Sequence, residues 1–145
     1  MKIREIAVKE VYCVKPEATL SEVAALMRDH GVGVMPVCEG KKLVGIITDR
    51  DIVITCAAMG STATQCKAKD FMTKNPKTVS PDVDLEQAAK MMAGEQIRRL
   101  PVIEGDKLVG ILSLGDISLA LKSDDKLVAD TLRKISTPSK SARSH

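Results

Sequence analysis

Tryptophan is absent from these 145 residues, and the other aromatics occur once each, as Tyr12 and Phe71. Single-stranded nucleic acid is held largely by stacking bases on aromatic rings, so the composition argues against that partner. A duplex finds little to grip either: the net charge is only +3, with Lys and Arg interspersed among Asp and Glu. No apolar run approaches the roughly twenty residues of a membrane span. The opening MKIREIAVKE alternates charged with apolar residues, unlike a signal peptide, which predicts a cytoplasmic protein away from the membrane. The four cysteines, Cys13, Cys38, Cys56 and Cys66, include no Cys-x-x-Cys pair, and His30 and His145 stand far apart. Metal-ligand spacing is missing, and no metal is expected. What the chain does have is 44% hydrophobic residues, so its core is built from Val, Ile, Leu, Met and Ala.

Shifted by 65 positions, the chain lies on itself without a gap. Sixteen of the thirty-nine residues 14–52 recur in 79–117, where unrelated sequences share about two or three. Pro16 falls on Pro81, Pro36 on Pro101, Gly45 on Gly110 and Asp51 on Asp116. Such a duplication predicts one fold built twice.

Each copy reads strand, helix, strand, strand, helix, an α/β (α+β) pattern. Short strands VYCV and KTV end at Pro16 and Pro81. Helices follow, opened by the capping pairs Thr19…Glu22 and Asp84…Gln87. Their apolar stripes are Leu20, Val23, Ala24, Met27 and Leu85, Ala88, Ala89, Met92, at helical spacing. Two hairpins turn at EGK and EGD, with the Gly a tight turn wants. His30, before Gly31, is expected to cap the end of the first helix. A three-stranded sheet with helices on one face leaves the other bare, so the two copies are expected to pair.

The expected division is a first repeat over 1–58, a linker over 59–66 and a second repeat over 67–123. An amphipathic helix over 124–136 puts Leu127, Val128, Leu132 and Ile135 on one face, and the polar tail 137–145 is expected to be disordered. Cys13 and Cys38 fall on neighbouring strands, where a reducing compartment favours two buried thiols over a disulfide.

Chemistry concentrates in GIITDRDI (45–52) and GILSLGDI (110–117). In each, an apolar strand ends at a hydroxyl, with an aspartate three residues later: Thr48…Asp51 and Ser113…Asp116. One meaning is a capping box, in which hydroxyl and carboxylate satisfy backbone N–H groups of the first turn. The other is a nucleotide grip: a hydroxyl for phosphate, and an acceptor-only carboxylate for the two hydroxyls of a ribose. Gly45 and Gly110, three residues before the hydroxyls, suggest close approach of a backbone or a ligand. No nucleophile with a base, metal cage or tuned carboxylate pair is present, so catalysis is not expected.

The recurring apolar-x-Pro, helix, Met-Pro-Val or Leu-Pro-Val, then Leu-Val-Gly-Ile-apolar-Thr/Ser-x-x-Asp, resembles the cystathionine β-synthase (CBS) domain. Two in register resemble a CBS pair, or Bateman module, over roughly residues 1–123, and the chain is similar to small stand-alone bacterial CBS-pair proteins. The resemblance implies two pseudo-symmetric β-α-β-β-α repeats packed as a pair, and a regulatory module binding AMP, ADP, ATP or S-adenosylmethionine without a required cofactor. It further implies two clefts, in which the motif Asp holds ribose, the Thr or Ser reaches phosphate, and strand residues of the other repeat flank the base. One would combine Thr48, Arg50 and Asp51 with Arg98, Arg99 and the Thr78–Ser80 strand end. The other would combine Ser113 and Asp116 with Gly33 and the Cys13–Lys15 strand end. Because Arg98 stands where the first repeat has Gly33, the Arg98-bearing cleft is expected to hold phosphate more strongly. A homodimer and an unidentified regulated protein are the macromolecular partners implied. The rival reading is a structural dimerisation module with empty clefts.

Overall fold

A computed structural model of the chain describes residues 1–6, 11–60 and 62–138. The chain divides into two units: Glu10–Lys77 with Gly105–Leu108, the first-copy unit, and Met1–Lys9, Thr78–Glu104 and Val109–His145, the second-copy unit. Both mix helices with strands.

In the first-copy unit, α1 (Leu20–His30) opens at Thr19, whose side chain accepts the Glu22 N–H. It closes at Gly31, where φ is +65°, a left-handed conformation that glycine adopts without steric cost. Gly31, rather than His30, is thus the terminating residue; the His30 ring stacks on Tyr12, with centroids 3.6 Å apart. Strands β1 (Val34–Glu39) and β2 (Lys42–Thr48) form an antiparallel hairpin, and β3 (Thr73–Lys74) pairs on the far side of β2. Gly40, at φ +62°, makes the expected turn. The core gathers Leu20, Val23 and Met27 of α1 against Met35, Val37 and Ile47 of the hairpin, with Cys56 and Ala68.

The expected VYCV and KTV strands shrink to single parallel bridges, Val14 with Val37 and Val79 with Val102. The prolines explain this. Val14 N–H donates to Pro36 O, and Cys38 N–H donates to Val14 O. The next rung would require an N–H from residue 16, and Pro16 has none; Pro81 stops the second copy in the same way.

After Thr48, a short α2 (Asp49–Asp51) passes into a π-helical turn, Ile52–Ala57, instead of the single α-helix expected. The Thr55 hydroxyl donates to Asp51 O within it, a back-bond that distorts helices. A short α3 (Ala68–Phe71) precedes β3.

The second-copy unit repeats the plan with α4 (Leu85–Glu95), β4 (Arg99–Glu104), β5 (Lys107–Ser113) and α5 (Leu114–Ala120). Strands β4 and β5 are sheet neighbours. Leu85, Ala88, Ala89 and Met92 of α4 are fully buried. Asp84 stands at the N-cap of α4 without a side-chain cap bond, so the expected Asp84…Gln87 pair does not form. Leu85 N–H goes instead to Met1 O, because the start of the chain packs here: Ile3 N–H donates to Val83 O and Arg4 N–H to Pro81 O. Ile3 is fully buried in this core, so the described residues of the N-terminal arm stand with the second copy. Helix α6 (Asp125–Ser136), capped by Asp124 on the Leu127 N–H, packs on α4 and α5. Beyond Pro138 the expected disordered tail lies outside the described residues. No helix among the described residues is long and apolar enough to cross a membrane.

Candidate functional site

Each motif sits where a strand turns into a helix. Thr48 keeps extended backbone, its Oγ1 accepts the Asp51 N–H at 3.1 Å, and Asp51 Oδ2 accepts the Thr48 N–H at 2.9 Å. In the second copy Ser113 Oγ accepts the Asp116 N–H at 3.0 Å, and Asp116 Oδ2 accepts the Ser113 N–H at 2.9 Å. Both are complete capping boxes.

The boxes do not exhaust the side chains. Each hydroxyl acts as acceptor, which leaves its proton to donate, and each carboxylate spends one oxygen, which leaves Oδ1. A phosphate oxygen needs a donor and a ribose hydroxyl an acceptor. Thr48 with Asp51, and Ser113 with Asp116, offer both beside the cap.

A backbone contact is equivalent in the two copies. Gly33 O accepts the Asp49 N–H at 3.0 Å, and Arg98 O accepts the Leu114 N–H at 2.8 Å. The side chains there differ for a local reason. A Cβ at Gly33 would lie 3.0 Å from Asp49 Oδ2, whereas the residue in Asp49's place beside Arg98 is the buried Leu114.

In the second-copy unit Arg98, Arg99, Ser113, Leu114, Gly115 and Ser118 line an open cleft of about 380 Å³, with Val128 and Leu132 of α6 also on its wall. That lies within the range of small-molecule pockets, about 300–1,000 Å³. Arg98 and Arg99 are exposed and make no ion pair with the described residues. The structure thus brings the arginine pair to Ser113 of its own unit, a grouping not expected from the sequence. Ser118, Val128 and Leu132 were also missed. The apolar stripe of α6 was visible, but nothing in it separates Leu127 and Ile135, which pack on the core, from Val128 and Leu132 at the cavity.

The remaining expected residues are placed as follows. Arg50 is exposed on α2, and Lys15 is exposed beside the Val14 bridge. Thr78 and Ser80 are exposed on either side of buried Val79, and Ser80 Oγ accepts the Asp82 N–H at 3.2 Å. A second cavity, about 640 Å³ between α4 and α6, includes Lys90, Gln96 and Lys134 and none of the residues expected to bind.

Gly45 has a structural occupant. A Cβ there would overlap Met72 Sδ and sit 3.0 Å from Thr73 O, so the close approach comes from the chain itself. Cys38 is buried while Cys13 is exposed, against the expectation of two buried thiols. Burial, and then the neighbouring Cys13, push the Cys38 thiol up to about 12.

The CBS domain family model matches residues 3–57 and 68–123. CBS domain-containing protein YhcV of Bacillus subtilis is 37% identical over 123 residues, covering 85% of this chain and 87% of that protein. The crystal structure of hypoxic response protein I with two coordinated zinc ions is 33% identical, with a TM-score of 0.75 over 82% of this chain and 98% of that one. Among the described residues here, no three His, Cys, Asp or Glu side chains converge to hold a metal ion. The structure of CBSX2 in complex with AMP is 25% identical, with a TM-score of 0.72 over 84% of this chain and 96% of that one. One family matching both copies of the duplicated unit, and a relative aligned along most of its own length, give the same answer: this chain belongs to the CBS domain family and carries two CBS domains in tandem.

Proposed function

We propose that the chain is a non-catalytic sensor of adenosine-containing ligands, AMP, ADP, ATP or S-adenosylmethionine, and that binding biases its docking on a regulated protein. The observation that carries this reading is the cavity uniting Arg98 and Arg99 with Ser113. Two guanidinium groups without carboxylate partners among the described residues, beside a hydroxyl with a spare proton, suit phosphate oxygens. Asp116, with Oδ1 to spare, takes the ribose. Thr48, Arg50 and Asp51 form the twin site, weaker for phosphate. Lys15, Gly33, Thr78 and Ser80, at strand ends, flank the bases. CBSX2, solved with AMP, supports the ligand class. A homodimer is the assembly proposed.

The test is calorimetry of the chain with AMP, ADP, ATP and S-adenosylmethionine. Binding of at least one is expected. Failure of all four would favour a purely structural dimerisation module. With one Tyr and no Trp, the protein's own ultraviolet absorption is weak, so co-purified nucleotide would show as an adenine band.

A further inference from the structure

A second cysteine pair, one that sequence spacing did not single out, is brought together by the fold. Cys56 Sγ lies 3.9 Å from Cys66 Sγ. Cys56 is 4% exposed, in the π-helical turn that follows Asp51. Cys66 is half-buried, in the segment across the start of α1, where its carbonyl accepts the Leu20 N–H at 2.9 Å. Cys66 is thus the more accessible residue of the two and Cys56 the more deeply buried. That is the arrangement of an attacking and a resolving thiol.

We propose that Cys56 and Cys66 form a thiol-oxidation site that a low-molecular-weight disulfide, of the glutathione disulfide class, converts to an intrachain disulfide. The Cys66 thiolate attacks one sulfur of the small disulfide, forming a mixed disulfide and expelling one small thiolate. The Cys56 thiolate then attacks Cys66 Sγ, closing the protein disulfide and expelling the second. Two protons leave the cysteines and are taken up by the two small thiolates. The protein is oxidised by two electrons and the small disulfide reduced by two. Burial, then the hydrogen bond with Cys66, raise the Cys56 thiol, so closure speeds up as pH rises. The bond would tie the turn after the Thr48–Asp51 box to the start of α1. This inference is independent of what the arginine cavity binds.

The test incubates the reduced full chain with glutathione disulfide, quenches in acid, alkylates the remaining thiols and digests with trypsin. Residues 51–67 form one tryptic peptide holding both cysteines, whereas Cys13 and Cys38 fall in two others. The expected product is the 51–67 peptide lighter by two hydrogens and unalkylated. In Cys56→Ser the glutathione should remain on Cys66, at about tenfold or more the occupancy in the native chain. Two alkylated cysteines in the native 51–67 peptide, glutathione persisting on native Cys66 to the level of Cys56→Ser, or a link from this peptide to Cys13 or Cys38 would each overturn the proposal.

Discussion

Ser113 and Asp116 exchange backbone N–H groups for side-chain oxygens, at 3.0 and 2.9 Å, and Thr48 and Asp51 do the same at 3.1 and 2.9 Å. Cap and ligand grip are therefore not rivals. The boxes fix each hydroxyl at a strand end while leaving its proton free. Replacing the cap hydroxyl in Ser113→Ala should cost about 1 kcal/mol of stability, and Thr48→Ala a similar amount, read from urea unfolding. Unchanged midpoints in both variants would show that the boxes contribute nothing.

Met72 occupies the space that a side chain at Gly45 would need, its Sδ overlapping the position of an added Cβ. Gly45→Ala is expected to destabilise by about 1–3 kcal/mol through overpacking. Adding Met72→Ala should return part of that loss, though Thr73 O, at 3.0 Å, remains. A Gly45→Ala protein as stable as the native chain would mean that the sheet yields there without cost.

Much of this was legible because it is local. Thr48 to Asp51 and Ser113 to Asp116 are three-residue patterns, and Gly40 and Gly105, both at positive φ, mark the hairpin turns. The CBS resemblance rested on the same short patterns repeated in register. What stayed hidden depends on distant partners. Nothing around Ile3 or Arg4 announces Val83 or Pro81, about eighty residues away. Asp84 has the side chain of a cap, but the Met1 carbonyl takes the Leu85 N–H beside it. Gly33 against Arg98 was visible as an asymmetry, yet its cause, Asp49 in one copy and Leu114 in the other, required the helix starts in place.

Arg4 clips the N-terminal arm to the second copy through Asp82 at 3.1 Å and Glu104 at 3.2 Å. The hydrogen bond from Arg4, then its charge, hold the Asp82 carboxyl below the ordinary carboxylate value. A carboxyl lowered by folding stabilises above its unfolded pKa and loses that contribution as pH falls through the folded value. The protection factors of the Ile3 and Arg4 amides, taken against the intrinsic exchange rate at each pH, should therefore fall on acidification in the native chain. Asp82→Asn should exchange faster at neutral pH and respond less to acid; the same acid response in both would contradict the clip.

Cys38 is raised from 9.0 to about 12, so the linkage has the opposite sign. Its contribution to stability is complete below the unfolded thiol pKa, about 8.5. It then declines as pH rises toward about 12. Cys38→Ala should flatten that alkaline decline in urea-unfolding stability, and at neutral pH Cys13 should alkylate well before Cys38. Equal alkylation rates would refute the assignment.

The central claim is that Arg98 and Arg99, set beside Ser113, hold the phosphate of an adenosine ligand. Calorimetry of AMP against the native chain and Arg98→Ala tests it most directly. The account predicts measurable binding to the native chain and an affinity lower by about tenfold or more in the variant, the scale of one lost charge-assisted contact. AMP binding with the same affinity in both proteins would contradict it.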